Sequence, residues 1–225
     1  MIGRFFVLLV TLTLSAQLWA YEAGDWLVRV GVGYVEPDTS SNDLSVAGTA
    51  LPGYQIDVDD NMRPIVSLTY MASEHIGVEV LAAWPFQHDI NGAAALDGIG
   101  KLGETKHLPP TVSVQYHLFP QATFRPYVGV GLNYTTFFST NTTATLEGAL
   151  GGSSQMNIKD SYGLALQLGA DFDVSENWFF NLDLRYVQIE ADARIKTQTQ
   201  EGLVRSQIKA DLDPLVLSAG FSRRC

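Results

Sequence analysis

The sequence predicts an all-β protein: an eight-stranded antiparallel transmembrane β-barrel with short periplasmic turns and long extracellular loops. Three observations carry that expectation. Apolar residues recur with a period of two along most of the chain, the signature of strands rather than helices. The connections between these segments alternate between short and long, as in outer-membrane barrels. Finally, 46% of the 225 residues are hydrophobic, yet no apolar stretch of eighteen or more occurs beyond the first twenty residues, which excludes a helical membrane protein.

Residues 1–20, with Arg4 followed by an apolar run from Phe5 to Leu14 and small or polar residues before Ala20, read as a secretory signal peptide cleaved after Ala20. Residues 21–225 are expected to form a single barrel domain. In the first strand Trp26, Val28, Val30, Val32 and Tyr34 share one face and Arg29, Gly31 and Gly33 the other. The next three are marked by Val66, Leu68 and Tyr70, by Val78, Val80, Ala82 and Trp84, and by Val112, Val114, Tyr116 and Leu118. Val128, Val130, Leu132 and Tyr134 mark the fifth, opposed by Tyr127, Gly129, Gly131 and Asn133. Tyr162 to Phe172, Trp178 to Tyr186 and Leu215 to Phe221 complete the set. Short connections lie at Ala72 to Ile76, Phe119 to Phe124 and Ser175 to Asn177; the long ones run from Glu36 to Arg63, Phe86 to Lys106, Ser139 to Asp160 and Ala191 to Ser206.

Alternation alone does not say which face points outward, because a soluble ligand-binding barrel alternates as well. Volume decides it. The apolar faces carry on the order of four large residues per strand, too many for a lumen that eight strands leave just wide enough for side chains. The Gly-rich polar face fits inside, and Trp, Tyr and Phe at strand ends suit two interfacial girdles. The net charge of −10 argues against nucleic acid as a partner, and the single Cys225 makes neither an intramolecular disulfide nor a four-ligand zinc site.

Several segments then become specific: EAGDW at 22–26, MASEHIGVEVLAAWPFQHDI at 71–90, KHLPPTVSVQYH at 106–117, FRPYVGVGLNYTTFF at 124–138, KDSYG at 159–163, ENWFFNLDLRY at 176–186 and LDPLVLSAGF at 212–221. In this order they closely resemble the OmpW family of small outer-membrane barrels, across nearly the whole mature chain. The resemblance implies a Gram-negative outer membrane, periplasmic termini, and a narrow hydrophobic channel for small hydrophobic molecules, with alkane-uptake relatives in the family. It also implies insertion by the barrel-assembly machinery, which reads a terminal aromatic residue in family members. Here the chain ends Phe221-Ser222-Arg223-Arg224-Cys225, so either Phe221 is a displaced signal or the terminus is altered.

The inward face carries Arg29, Glu79, Asp171, Asp183 and Arg185, opposite charges at similar depth, readable as a polar plug or selectivity girdle or as mutually satisfied structural pairs. Leu81 and Met71 are the inward apolar residues of the second and third strands; Leu51, Ile56, Val58, Ile90, Ala94, Leu96 and Ile99 add apolar side chains to the first two long loops. Together they suggest a hydrophobic extracellular vestibule from which a hydrocarbon leaves sideways into the membrane, helped by ladder bonds that Pro85, Pro109 and Pro110 leave unmade. The competing reading is a small cap without a ligand. His75 is expected in a periplasmic turn, His88 and His107 near the extracellular rim and His117 in the lower lumen; a rim metal site from His88 and His107 lacks further ligands at metal spacing, no catalytic constellation is identifiable, and no cofactor is expected. The leading function is passive uptake of small hydrophobic solutes. Its alternatives are an enzyme at the barrel rim, for which a motif is missing, and a structural or receptor barrel whose loops bind other proteins or lipopolysaccharide, with Asp57, Asp59 and Asp60 bridging phosphates through divalent cations. Oligomeric state is not encoded legibly.

Overall fold

A computed structural model describes residues 20–225; the expected signal peptide lies outside the described residues but for Ala20. Strands form where Val, Leu and Tyr alternate with Gly, Ser and Gln, because branched and aromatic side chains pack well on a pleated surface with one apolar face. The barrel strands are β1 (Trp26–Glu36), β2 (Asn61–Met71), β3 (Ile76–Ala83), β4 (Thr111–His117), β5 (Phe124–Thr142), β6 (Ser161–Ser175), β7 (Trp178–Val187) and β8 (Leu215–Arg224). Each pairs antiparallel with the next, and β1 closes on β8 from Leu27↔Arg224 to Glu36↔Leu215. Closure pairs the ladder all the way round, as hydrocarbon surroundings require.

The outward face is apolar and exposed, with Val30, Val114, Leu132, Leu166 and Leu217 among its members. Aromatic rings bound it at both ends. Near the short turns Trp26 meets Tyr70 at 5.0 Å, Phe124 meets Phe172 at 5.1 Å and Phe180 meets Phe221 at 5.6 Å. Near the long connections Tyr134 packs on Tyr162 at 4.8 Å. Both ends of the described chain lie at the short-turn end, where the Trp26 amide donates to the Cys225 carbonyl. Phe221 sits in register with Val30 and faces outward.

The long connections, expected as loops, are strand over most of their length. Tyr54–Val58 pairs with Phe86–Ala94, which pairs with Lys101–Leu108, which pairs with the top of β5. A second sheet joins Gly152–Ile158, Glu190–Thr199 and Gly202–Asp211, edged by Ser40–Ser41 and Ser45–Val46. The alternation that builds them is present in the sequence but weakly apolar: Ala191, Ala193, Ile195 and Thr197 are buried, while Arg194, Lys196 and Gln198 are exposed. A short helix, α1 (Ala144–Leu150), sits between the sheets. Thr143 caps its start, its hydroxyl accepting from the Leu146 amide, and Gly151 ends it at φ 79°, a left-handed conformation that favours glycine. The two sheets rise beyond the aromatic ring at the long-connection end and enclose the space between them.

Candidate functional site

That space is an apolar chamber of about 250 Å³. It draws on every long connection: Leu51 and Ile56 from the first, Ile90, Leu96 and Leu102 from the second, Leu146 and Met156 from the third, and Ala193, Ile195 and Ile208 from the fourth. Four expected vestibule residues, Leu51, Ile56, Ile90 and Leu96, line it together. Val58 and Ile99 join them; Ala94, also expected there, does not. Tyr54 and Ile99, both exposed over more than a third of their surface, mark its rim. The chamber holds together because the inner faces of the two sheets supply continuous clusters, one around Ile90, Ile158, Val187 and Ile208 and another around Leu96, Leu102, Leu146 and Ile195.

The barrel lumen beneath has the opposite chemistry. Arg29, Glu79, Asp171, Asp183 and Arg185 meet in one buried network. Glu79 bridges both guanidiniums, with Arg185 Nη2 at 2.6 Å and Arg29 Nη1 at 3.3 Å, while Arg29 Nη2 reaches Asp171 at 3.0 Å. Asp183 lies 3.6 Å from Arg185 Nε and accepts from Gln167 Nε2 at 2.6 Å and from the Tyr127 hydroxyl at 3.0 Å. Asn181 Nδ2 donates to Asp171 at 2.8 Å, and the Ser67 hydroxyl donates to Glu79 at 3.0 Å. Tyr127 has room for its ring because Gly169 stands opposite; a Cβ there would fall 2.4 Å from the ring. Paired charges and amides occupy this narrow lumen, and an apolar solute entering it would strip those charges of partners.

Sequence reasoning missed the lower part of this plug. Tyr21 is fully buried, donates its hydroxyl to Asp171 at 2.7 Å, and packs edge-on to Phe179 and His117. The Arg125 guanidinium lies 4.5 Å from the Tyr21 ring and pairs with Asp173. The inward placement of Tyr127 was visible in the alternation of β5, but no periodicity tells that the segment before β1 turns into the lumen. Met71 is corrected here: it is buried with Tyr21, Leu27 and Phe179 at the short-turn end, on the far side of the charges from the chamber. It shares the inward face with Leu81, but β2 runs down the barrel and β3 runs up, so the two residues lie at opposite depths.

Leu81 lies at the top of the plug. It borders both a small polar pocket containing Arg29, Glu79 and Asp183 and a mainly apolar cavity of about 30 Å³ lined by Ile65, Ala83, Phe86, His107 and Pro109, with Arg185 also in its wall. That cavity abuts an interrupted seam. Ladder pairing between β3 and β4 stops at Leu81↔Thr111, whereas β2 and β3 continue to Ile65↔Ala83. Beyond Thr111 stand Pro110 and Pro109, which have no N–H to donate.

Of the four histidines, His88 and His107 stack face to face at 5.0 Å, and His107 stacks on Phe86 at 5.5 Å. Both lie above the Tyr134 and Tyr162 ring, in the extracellular sheet. Burial and the neighbouring His88 lower the His107 pKa to about 3, and burial also lowers that of His88. Both rings are therefore neutral wall components at ordinary pH. Among the described residues no group of three or more His, Cys, Asp or Glu is placed to hold a metal ion.

The OmpW family matches residues 22–225. Outer membrane protein W of Vibrio cholerae is 42% identical over 185 residues, covering 81% of this chain and 82% of that protein. Outer membrane protein AlkL of Ectopseudomonas oleovorans is 30% identical, covering 92% of this chain and 85% of its own length. The crystal structure of OprG from Pseudomonas aeruginosa superposes with a TM-score of 0.86 at 36% identity, covering 92% of this chain and 99% of that one.

Proposed function

The chain belongs to the OmpW family of outer-membrane β-barrels, and from that premise we propose that it is a passive channel for small hydrophobic molecules. A solute enters the chamber from the cell exterior, moves down to the cavity beside Leu81, and leaves sideways between β3 and β4 into the membrane. The observation that carries this reading is the juxtaposition of an apolar chamber of about 250 Å³ with a sealed, charged lumen directly below it. A hydrocarbon gains roughly 25 cal/mol for each Å² it buries in such a chamber. It gains nothing among paired charges, so the lateral seam is the lower-energy exit. The alkane-uptake relatives that the family resemblance implies support hydrophobic cargo. No covalent step and no cofactor enter this mechanism; the gradient of the solute drives it. The mature barrel is read as residues 21–225, released by cleavage after Ala20.

Replacing Leu81 with Asp places a carboxylate in the apolar cavity and tests the route. Uptake of a long-chain alkane by proteoliposomes or cells is expected to fall by about tenfold or more, equivalent to at least about 1.4 kcal/mol on the barrier. Unchanged uptake by a folded Leu81→Asp barrel sinks the lateral route.

A further inference from the structure

The geometry points to His107 as the throat of the pathway, the side chain that separates the chamber from the exit cavity and sets the size of solute that passes. This rests on the transport reading above and adds to it a specificity-determining residue. Among the described residues, His107 alone lines both the chamber and the cavity at the β3–β4 seam. It also borders a third, small cavity of about 10 Å³ between Val58, Phe137 and Pro214. Three apolar spaces therefore meet at one ring.

The backbone explains why the ring stays there. His107 pairs with Phe86 on one side and Phe137 on the other, so Phe86, His107 and Phe137 form a single aromatic row across three strands. The His107 ring lies 5.5 Å from Phe86 and 5.8 Å from Phe137, with His88 stacked at 5.0 Å. His88 in turn is fixed by a 2.5 Å contact from Nδ1 to the Asp59 carbonyl. The row is thus a hinge-free wall whose middle member can move only by a rotamer change toward one of the adjoining cavities. A flat neutral ring suits that role. It presents apolar faces to a passing hydrocarbon, and its buried setting resists the charge that would repel one.

His107 borders the chamber, the seam cavity and the small third cavity between them, so a solute going from chamber to seam passes its ring by either way, and ring volume controls the transfer rate more than chamber affinity. Two readouts separate these: quenching of a hydrophobic fluorescent probe for chamber occupancy, and transfer of a long-chain alkane into proteoliposomes for passage. His107→Trp is expected to slow alkane transfer by about tenfold, a larger change than it makes in probe binding. His107→Ala is expected to admit bulkier branched hydrocarbons that the parent excludes. To remove dependence on folding, His107→Cys in a Cys225→Ser background is inserted first and then labelled with a benzyl thiol reagent. The unlabelled barrel transfers alkane and the labelled one does not. Parent-like transfer by the labelled barrel, or by His107→Trp, overturns the throat and leaves the channel reading standing. Absence of alkane transfer by the parent protein itself overturns the channel reading, and the throat with it.

Discussion

The barrel and the chamber above it are built by the same alternation in opposite senses. Along β5 the even positions Val128, Val130, Leu132 and Tyr134 face outward and are apolar, while Tyr127, Asn133 and Thr135 face a polar interior. In the sheet above, Ala193, Ile195 and Ile208 face inward, and Arg194, Lys196 and Lys209 face out. The difference is the surrounding medium. Lipid selects an apolar exterior and leaves the lumen to charges that satisfy one another, whereas water selects a charged exterior and leaves an apolar interior. One closed molecule thereby carries a polar stopper below an apolar receptacle, and a hydrophobic solute finds affinity in the upper part and resistance in the lower.

The contrast breaks most severely if the stopper is unpaired. Glu79→Ala strands the Arg29 and Arg185 guanidiniums without their shared carboxylate in a narrow lumen, an expected loss of about 3–5 kcal/mol. Thermal unfolding in detergent, followed by the gel shift between folded and unfolded barrel, measures it. A smaller effect on stability and a larger one on transport is expected from Ile195→Asp in the chamber. It is expected to lower alkane transfer by about tenfold while leaving barrel unfolding close to that of the parent, because the ladder below does not depend on it.

Acidity sharpens the comparison further. Burial holds the folded-state pKa of His107 near 3, below its ordinary value of 6.5. The unfolded segment therefore binds more protons between those values, and the stability from a neutral His107 is complete above about 6.5 and is lost as pH falls toward 3. Each unit of that fall costs about 1.4 kcal/mol. Amide hydrogen exchange in Phe86–Ala94 and Lys101–Leu108 is expected to quicken through this window, while β1 and β8 stay protected. The smallest effect belongs to the chamber's exterior: Lys159→Ala removes a half-exposed partner of Asp192 and is expected to change unfolding by no more than about 1 kcal/mol.

The sequence makes the lower region more legible than the upper one. Lipid-facing Val, Leu and Tyr write the eight strands plainly, and the lumen charges stand out because they interrupt a Gly-rich face. The upper sheets are hidden because their inward positions use Ala191, Ala193 and Thr197, residues too small or polar to register as an apolar face. Periodicity gives the face of a residue without its depth, so it groups Met71 with Leu81 although a layer of ion pairs separates them. The sequence places His107 near the extracellular rim beside His88 and shows nothing more of its role. Its importance comes from the register that sets it between Phe86 and Phe137, and a single sequence does not display cross-strand neighbours.

The most direct measurement compares hydrophobic and hydrophilic solutes of equal size in the same proteoliposomes, with ion conductance recorded in parallel. The inverted polarity of chamber and lumen predicts transfer of the hydrophobic member, exclusion of the hydrophilic one and little steady ion current. Equal passage of both solutes, or a sustained ionic conductance through the folded barrel, would contradict it.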